Sequence, residues 1–284
     1  MTQTGLIDRI ITALGCDDLE GVATPAVDVL GKDEFGDPPT CSFSYSSVIG
    51  MIWYLERHTR PDISFATSQC ARFAFNPKCC HELAMIRIGQ YLKATRTNGL
   101  IYQPLDSQHF EMDVHVDSDF MGIYGKELRS DPDNVKSRTG YTISLNGCPI
   151  IWGSKLQGSI SLSTMMAEYY ALSSTLREVL PFRNLIKTVA RATGLNEDCA
   201  TDFKVTCWED NAGALILANS DPGQHTPRSK FYDNKVHWFR SIIKDGTDRI
   251  QVVKVDTKEQ LADMFTKPLT LSIFSYLRKK LMGW

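Results

Sequence analysis

The stretch SRTGYTISLNGCPIIWGSK, residues 137–155, most narrows what this chain can become. Tyr141, Ile143 and Leu145 alternate with polar residues, Asn146-Gly147 is a type I′ turn signal, and Ile150 and Trp152 continue on the return strand. Together they predict a β-hairpin. Just before it, HFEMDVHVDSDF (109–120) sets Met112, Val114 and Val116 on one face of another strand, with the polar loop YGKELRSDPDNVK (124–136) between. After the hairpin the period changes. A long helix follows Ser161 to Ser163, with Ser163 or Thr164 as N-cap, Gly194 as C-cap, and Pro181 as a point of kinking or splitting. FKVTCWED then predicts a strand, NAGALILANS a short helix, SKFYDNKVHWFRSIIKDG a helix and RIQVVKVD a strand, and Thr257-Lys-Glu-Gln260 reads as a capping box opening the final helix. Three antiparallel strands followed by alternating helices and strands imply an α/β fold: one mixed sheet with helices packed on its faces.

The first hundred residues follow another pattern. Leu6, Ile7, Ile10, Ile11 and Leu14 mark a short helix that stops at Gly15, and the Pro-, Gly- and Asp-rich residues 24–40 predict a linker or loosely attached strap. Helical periodicity in SYSSVIGMIWYLERHT, DISFATSQCARFAFNP and HELAMIRIGQYLKAT predicts a three-helix unit over roughly 44–97, and GLIYQP a strand. No apolar run of membrane length and no cleavable leader pattern is present, so a soluble intracellular protein without a membrane partner is expected. The eight cysteines form no C-x-x-C pair and the six histidines do not join them at zinc-finger spacing, which favours reduced thiols over disulfides or structural zinc. A net charge of −2 excludes a broadly basic nucleic-acid coat. Two stretches are locally basic, with Arg228, Lys230, Lys235 and Arg240 among aromatics and Arg278, Lys279 and Lys280 in the tail. Taken alone, each reads first as a solvated helix face and only second as a phosphate track.

Four acids fall at strand ends and in helices. Asp117 ends the first strand, Glu168 lies in the first turns of the long helix, Asp210 ends the fourth strand, and Asp263 lies in the last helix. Singly, each is better explained as a turn or cap residue. Jointly, in a mixed sheet, they can converge; four such carboxylates would repel one another unless divalent cations joined them. Oxygen ligands without His or Cys point to magnesium or manganese, and two such ions about 3.5–4 Å apart suit phosphodiester hydrolysis.

Several long motifs then carry a family resemblance. WGSKLQGSISLST followed by AEYYAL resembles the W-x-S-K-K-Q … E-A-E-Y-x-A-L run of copia-type retrotransposon polyproteins, and VDSDF, WEDNAGAL, HTPRSKFYDNKVHWFR and TKEQLADMFTKPL resemble further motifs of that family in the same order. Upstream, YSSVIGMIWYLERHTRPDISFA, RFAFNP and YLKATRTNGLIY are similar to the segment joining its reverse transcriptase to its ribonuclease H domain.

This resemblance implies a ribonuclease H-like mixed five-stranded sheet with helices on both faces, preceded by a small helical connection subdomain. It divides the chain into a reverse transcriptase remnant with linker (1–40), a helical thumb or connection segment (41–105) and a ribonuclease H-like domain (106–284). It implies cleavage of the RNA strand of RNA–DNA hybrids with two Mg2+ ions (Mn2+ as substitute), Asp117, Glu168 and Asp210 as the first metal-binding carboxylates and Asp263 as the fourth, with Asp256 and Asp233 as rivals. Asp119 would stand behind the ligands, and His225 resembles a mobile histidine near the scissile phosphate, although a loop or capping role explains it better. The partners implied are the hybrid, contacted by the basic aromatic helix 228–240, and the remaining reverse transcriptase and integrase parts of the polyprotein, in the cytoplasm, in virus-like particles or with access to the nucleus. The chain departs from the family at Phe231, Glu209 and Met166 and in the irregular stretch 122–133. No Tyr-x-Asp-Asp hairpin is present, and Cys16-Asp17-Asp18 precedes an irregular stretch, so no DNA synthesis is expected. The competing reading is a catalytically inactive nucleic-acid-binding fragment of a decayed retroelement; an integrase-like transferase would need another carboxylate spacing.

Overall fold

The computed structural model describes residues 1–40, 43–106, 109–194, 203–225, 229, 236–245 and 250–284. β1 (Glu111–Asp119), β2 (Arg138–Leu145), β3 (Cys148–Leu156), β4 (Lys204–Glu209) and β5 (Ile250–Lys254) form one sheet in the order β3-β2-β1-β4-β5. The β1–β2 and β2–β3 pairs are antiparallel, the β1–β4 and β4–β5 pairs parallel. This strand order and sense agree with the mixed five-stranded sheet expected from the resemblance. Asn146 and Gly147 both have positive φ, 47° and 77°, as the type I′ hairpin requires.

Strand alternation divides the sheet into two faces. Met112, Val114, Val116, Ile143, Val205, Cys207, Ile250 and Val252 point into one core, closed by α5 (Thr164–Ala192), α6 (Ala212–Ala218) and α7 (Phe239–Asp245). The other face carries α8 (Asp263–Thr266), which packs on β1 and β2, and next to it the helical unit α1 (Thr4–Ala13), α2 (Tyr45–Thr59), α3 (Ser64–Ala71) and α4 (Cys79–Ala94). That unit has its own core of Ile7, Ile10, Ile52, Leu55, Ile88 and Leu92, into which the last helix, α9 (Leu271–Met282), inserts Phe274, Leu277 and Leu281. Trp152 of β3 joins this second core and donates from its indole nitrogen to the Glu56 carbonyl, 3.1 Å away.

Four expectations need correction. GLIYQP forms no strand: the Leu100 and Ile101 amides donate to the carbonyls of Met1 and Met282, which tie the segment to a terminus and a helix end rather than to a ladder. Residues 24–40 are firmly held, since the Leu30, Lys32 and Thr40 amides donate to Gln69, Glu127 and Glu82 and the ring of His81 meets the Gly31 carbonyl at 2.6 Å. Pro181 does not split α5: all 29 residues from Thr164 to Ala192 stay in one helix, with Val179 and Arg183 buried on either side of it. Thr257–Gln260 opens no long helix. Asp256 caps a single turn there by accepting from the Lys258 amide, and Asp263 lies in the separate short α8.

Candidate metal centre

Because β1 and β4 are parallel neighbours, their C-terminal ends meet. Asp117 lies near the end of β1, Asp210 directly follows β4, and the N-terminal turns of α5 bring Glu168 beside them. Carboxylate oxygens of all three lie within 4.8 Å of one another. Local chemistry fixes each approach. Ser163 caps α5 by accepting from the Met166 amide at 3.1 Å, and Asn211 caps α6 by accepting from the amides of Gly213 and Ala214 at 3.0 Å, which sets the turn carrying Asp210. Gln157, buried, donates to Ser118 Oγ, Thr139 Oγ1 and the Ala167 carbonyl, and so joins β1, β2 and α5 one residue away from two of the acids. Gln260, fully buried, donates to the carbonyls of Val116 at 2.8 Å and Trp208 at 3.2 Å, clasping β1 and β4 where their pairing ends at His115 and Trp208.

Asp263 is placed differently. It comes in from the opposite face on α8, which sits close to the sheet because Gly140, the partner of Asp117 in β2, has no side chain; a Cβ there would lie 2.6–2.9 Å from Thr266, Phe265 and the Ala262 carbonyl. From α8, Thr266 Oγ1 donates to Asp117 Oδ2 at 2.5 Å. Lys267 reaches Asp263 Oδ1 at 2.8 Å and Asp117 Oδ2 at 3.8 Å.

The electrostatics follow from burial and crowding. Burial, then the charges of Asp117, Glu209 and Asp210, push Glu168 well above the ordinary carboxylate range. Burial and Asp117 raise Asp210, and the same two causes raise Asp263 to about 7 against the pull of Lys267. Burial raises Glu209 to about 8. Burial works against the Lys267 ammonium, yet Asp117 and Asp263 outweigh it and hold its pKa above the usual lysine value. Glu168 Oε2 and Glu209 Oε2 are buried with no hydrogen-bond partner among the described residues. An unpaired buried carboxylate oxygen is costly, and here these two lie at one end of one sheet with Asp263 Oδ1, which faces Lys267 but has no hydrogen-bond partner among the described residues.

The other candidates are scattered. Asp119, raised by burial and by Asp117, sits under Gly122, where a Cβ would lie 1.5 Å from its Oδ2. Asp256 is an exposed cap, and Asp233, Phe231, Arg228, Lys230 and Lys235 lie outside the described residues. His225 is exposed, edge-on to His237 at 5.1 Å. Arg240 is no part of a contact surface: it is fully buried, with its guanidinium on the carbonyls of Ser220 and Gln224. In the tail, Arg278 stacks on Trp284, 4.0 Å from the ring centre, and Lys280 pairs with Glu259. Sequence reasoning missed Gln157, Gln260, Thr266 and Lys267, although all four stand inside the quoted motifs; Glu209 was visible there only as a departure.

No family model matches the chain. It is 30% identical over its whole length to 20% of the retrovirus-related Pol polyprotein from transposon TNT 1-94 of Nicotiana tabacum. Over 91% of the chain it is 29% identical to 16% of the Pol polyprotein from transposon RE1 of Arabidopsis thaliana. The chain thus spans a fifth or less of these relatives' length. Among solved structures, LC11-RNase H1 in complex with RNA/DNA hybrid aligns with 55% of this chain and 93% of its own, at 15% identity and a TM-score of 0.36. No helix among the described residues is long and apolar enough to cross a membrane.

Proposed function

Because the chain belongs to the copia-type retrotransposon Pol polyproteins, we propose that it is their ribonuclease H, an endonuclease that hydrolyses the RNA strand of RNA–DNA hybrids. The observation that carries this reading is the meeting of Asp117, Glu168 and Asp210 within 4.8 Å, with Glu168 Oε2 buried and unpartnered among the described residues. A crowded set of carboxylate oxygens fits hard divalent cations, Mg2+ or Mn2+. Asp117, Glu168 and Asp210 would hold one ion, and Asp117 with Asp263 the second. When bound, such ions supply an activated water and neutralise the charge that develops on the leaving oxygen.

The chain's own residues prepare that chemistry. Thr266 orients Asp117, Gln157 holds the start of α5 and with it Glu168, and Gln260 holds the strand ends that carry Asp117 and Asp210. Precise ligand placement of this kind is what supporting hydrogen bonds provide at metal centres. The proposal keeps the division into 1–40, 41–105 and 106–284, no DNA synthesis by this segment, and association with the rest of a Pol polyprotein.

A hybrid-cleavage assay in Mg2+ tests the reading with Asp117→Asn and Glu168→Gln. Metal-dependent cleavage by the wild type and its loss in both variants is expected. Equal background cleavage by all three proteins defeats the proposal and favours an inactive hybrid-binding fragment.

A further inference from the structure

We propose that Lys267 gates the second metal position: its ammonium holds the Asp117–Asp263 pair, so a second ion binds there only by displacing it. This rests on the two-ion reading above.

The two halves of the carboxylate cluster differ in their counter-charge. Asp117, Glu168 and Asp210 form the compact group, while Asp263 is not among the three. Instead Asp263 is engaged one helical turn along its own element, with Lys267 Nζ 2.8 Å from its Oδ1 and 3.8 Å from Asp117 Oδ2. On the other side, Glu168 Oε2 meets no donor among the described residues. Among the described residues, an ion arriving at Glu168 therefore finds an oxygen that faces no cation, whereas an ion arriving at Asp263 finds Oδ1, which has no hydrogen bond, already ion-paired with Lys267.

Lys267 is built to leave. Its backbone is extended at the end of α8, φ −145° and ψ 157°, directly before Pro268, and its amide meets the Asp263 carbonyl at 3.4 Å. Its side chain is 37% exposed, on a flexible four-carbon stem, so the ammonium can swing to water without moving the chain. Among the described residues Arg138 is also near the acids, but it is buried, with Nη1 donating to Ser68 and Ser154, and so cannot swing out to water as Lys267 can. Two consequences follow. Among the described residues Lys267 is the cation that pairs with the metal-free cluster and blunts its repulsion, and the two ions are unequal, the first filling before the second.

Counting bound Mn2+ by the loss of its free paramagnetic resonance signal, alongside titration calorimetry, separates the possibilities on the wild type, Lys267→Met, Lys267→Gln and Lys267→Arg. The wild type should bind one ion tightly and a second weakly. In Lys267→Met and Lys267→Gln the second ion should bind tighter by about tenfold, the factor for one ion pair's worth of competition, and Lys267→Arg should stay close to the wild type. Metal-free melting of the two neutral variants should fall and be restored by Mn2+. If Lys267 is only a structural counter-ion, melting falls but second-ion affinity does not rise, and the inference is overturned while the metal centre stands. If the wild type binds no Mn2+, the two-ion reading itself fails and takes this inference with it.

Discussion

Two buried acids in this molecule have opposite surroundings. Asp62, in the helical unit, is wholly shielded from water, and every demand it makes is met: Arg60 Nε and Nη2 donate to it at 2.9 and 2.8 Å, and Tyr91 Oη donates at 2.6 Å. Glu168, at the end of the sheet, is also buried but keeps an oxygen unpartnered among the described residues, and the charges that act on it most are the acids Asp117, Glu209 and Asp210. The first arrangement resembles a structural ion pair, complete within the protein. The second is crowded by like charges that Lys267, held by Asp117 and Asp263, offsets only in part, so it stores repulsion that an added cation would relieve. Burial alone therefore does not mark a functional acid. Burial with unmet charge does.

The widest gap between the two acids should be in activity. Asp210→Asn should lower hybrid cleavage roughly a thousandfold or more while melting stays level or rises, because one repelling charge is gone. Asp62→Ala should do the reverse. Leaving the Arg60 guanidinium buried and unpaired should cost about 3–5 kcal/mol of stability in a denaturant titration, with residual folded protein still cleaving hybrid. A smaller effect is expected from Gln260→Ala, which removes the clasp between β1 and β4 without touching a carboxylate: metal affinity read by calorimetry should weaken about 10- to 100-fold. Unchanged affinity would mean that the strand ends hold the acids without it.

The smallest effect is on pH dependence. Glu168 and Glu209 have folded pKa values above their unfolded ones, Glu209 at about 8 against an ordinary 4.5, so their contribution to stability is present at low pH and is lost as pH rises toward 8. Metal-free protein should thus melt a few degrees lower at about pH 8.5 than at about pH 7, and saturating Mg2+ should flatten that slope. A slope of the opposite sign would show that these carboxylates are not crowded in solution.

The sheet was readable because its signals are local. Alternation in Met112, Val114 and Val116 and the Asn146-Gly147 turn need only neighbouring residues to be interpreted. GLIYQP misled because its backbone amides donate to the carbonyls of Met1 and Met282, far along the chain, rather than to a neighbouring strand. The acids could be proposed from their places at strand ends, but their 4.8 Å meeting depends on the parallel pairing of β1 with β4 and on Gly140 admitting α8. The supporting residues were the least legible. Gln157 and Gln260 look like ordinary polar positions until tertiary structure buries them, and Lys267 looks like a surface lysine until Asp117 is brought to it from 150 residues away. Such roles exist only between elements, where no local period records them.

Metal-dependent thermal stability tests the central claim most directly. Melting of the wild type, Glu168→Gln and Asp62→Asn should be followed with and without Mn2+. Mn2+ should raise the melting temperature of the wild type and of Asp62→Asn by similar amounts and leave Glu168→Gln nearly unmoved. An equal rise in all three, or none in the wild type, would contradict the assignment of the sheet-end carboxylates as a metal centre.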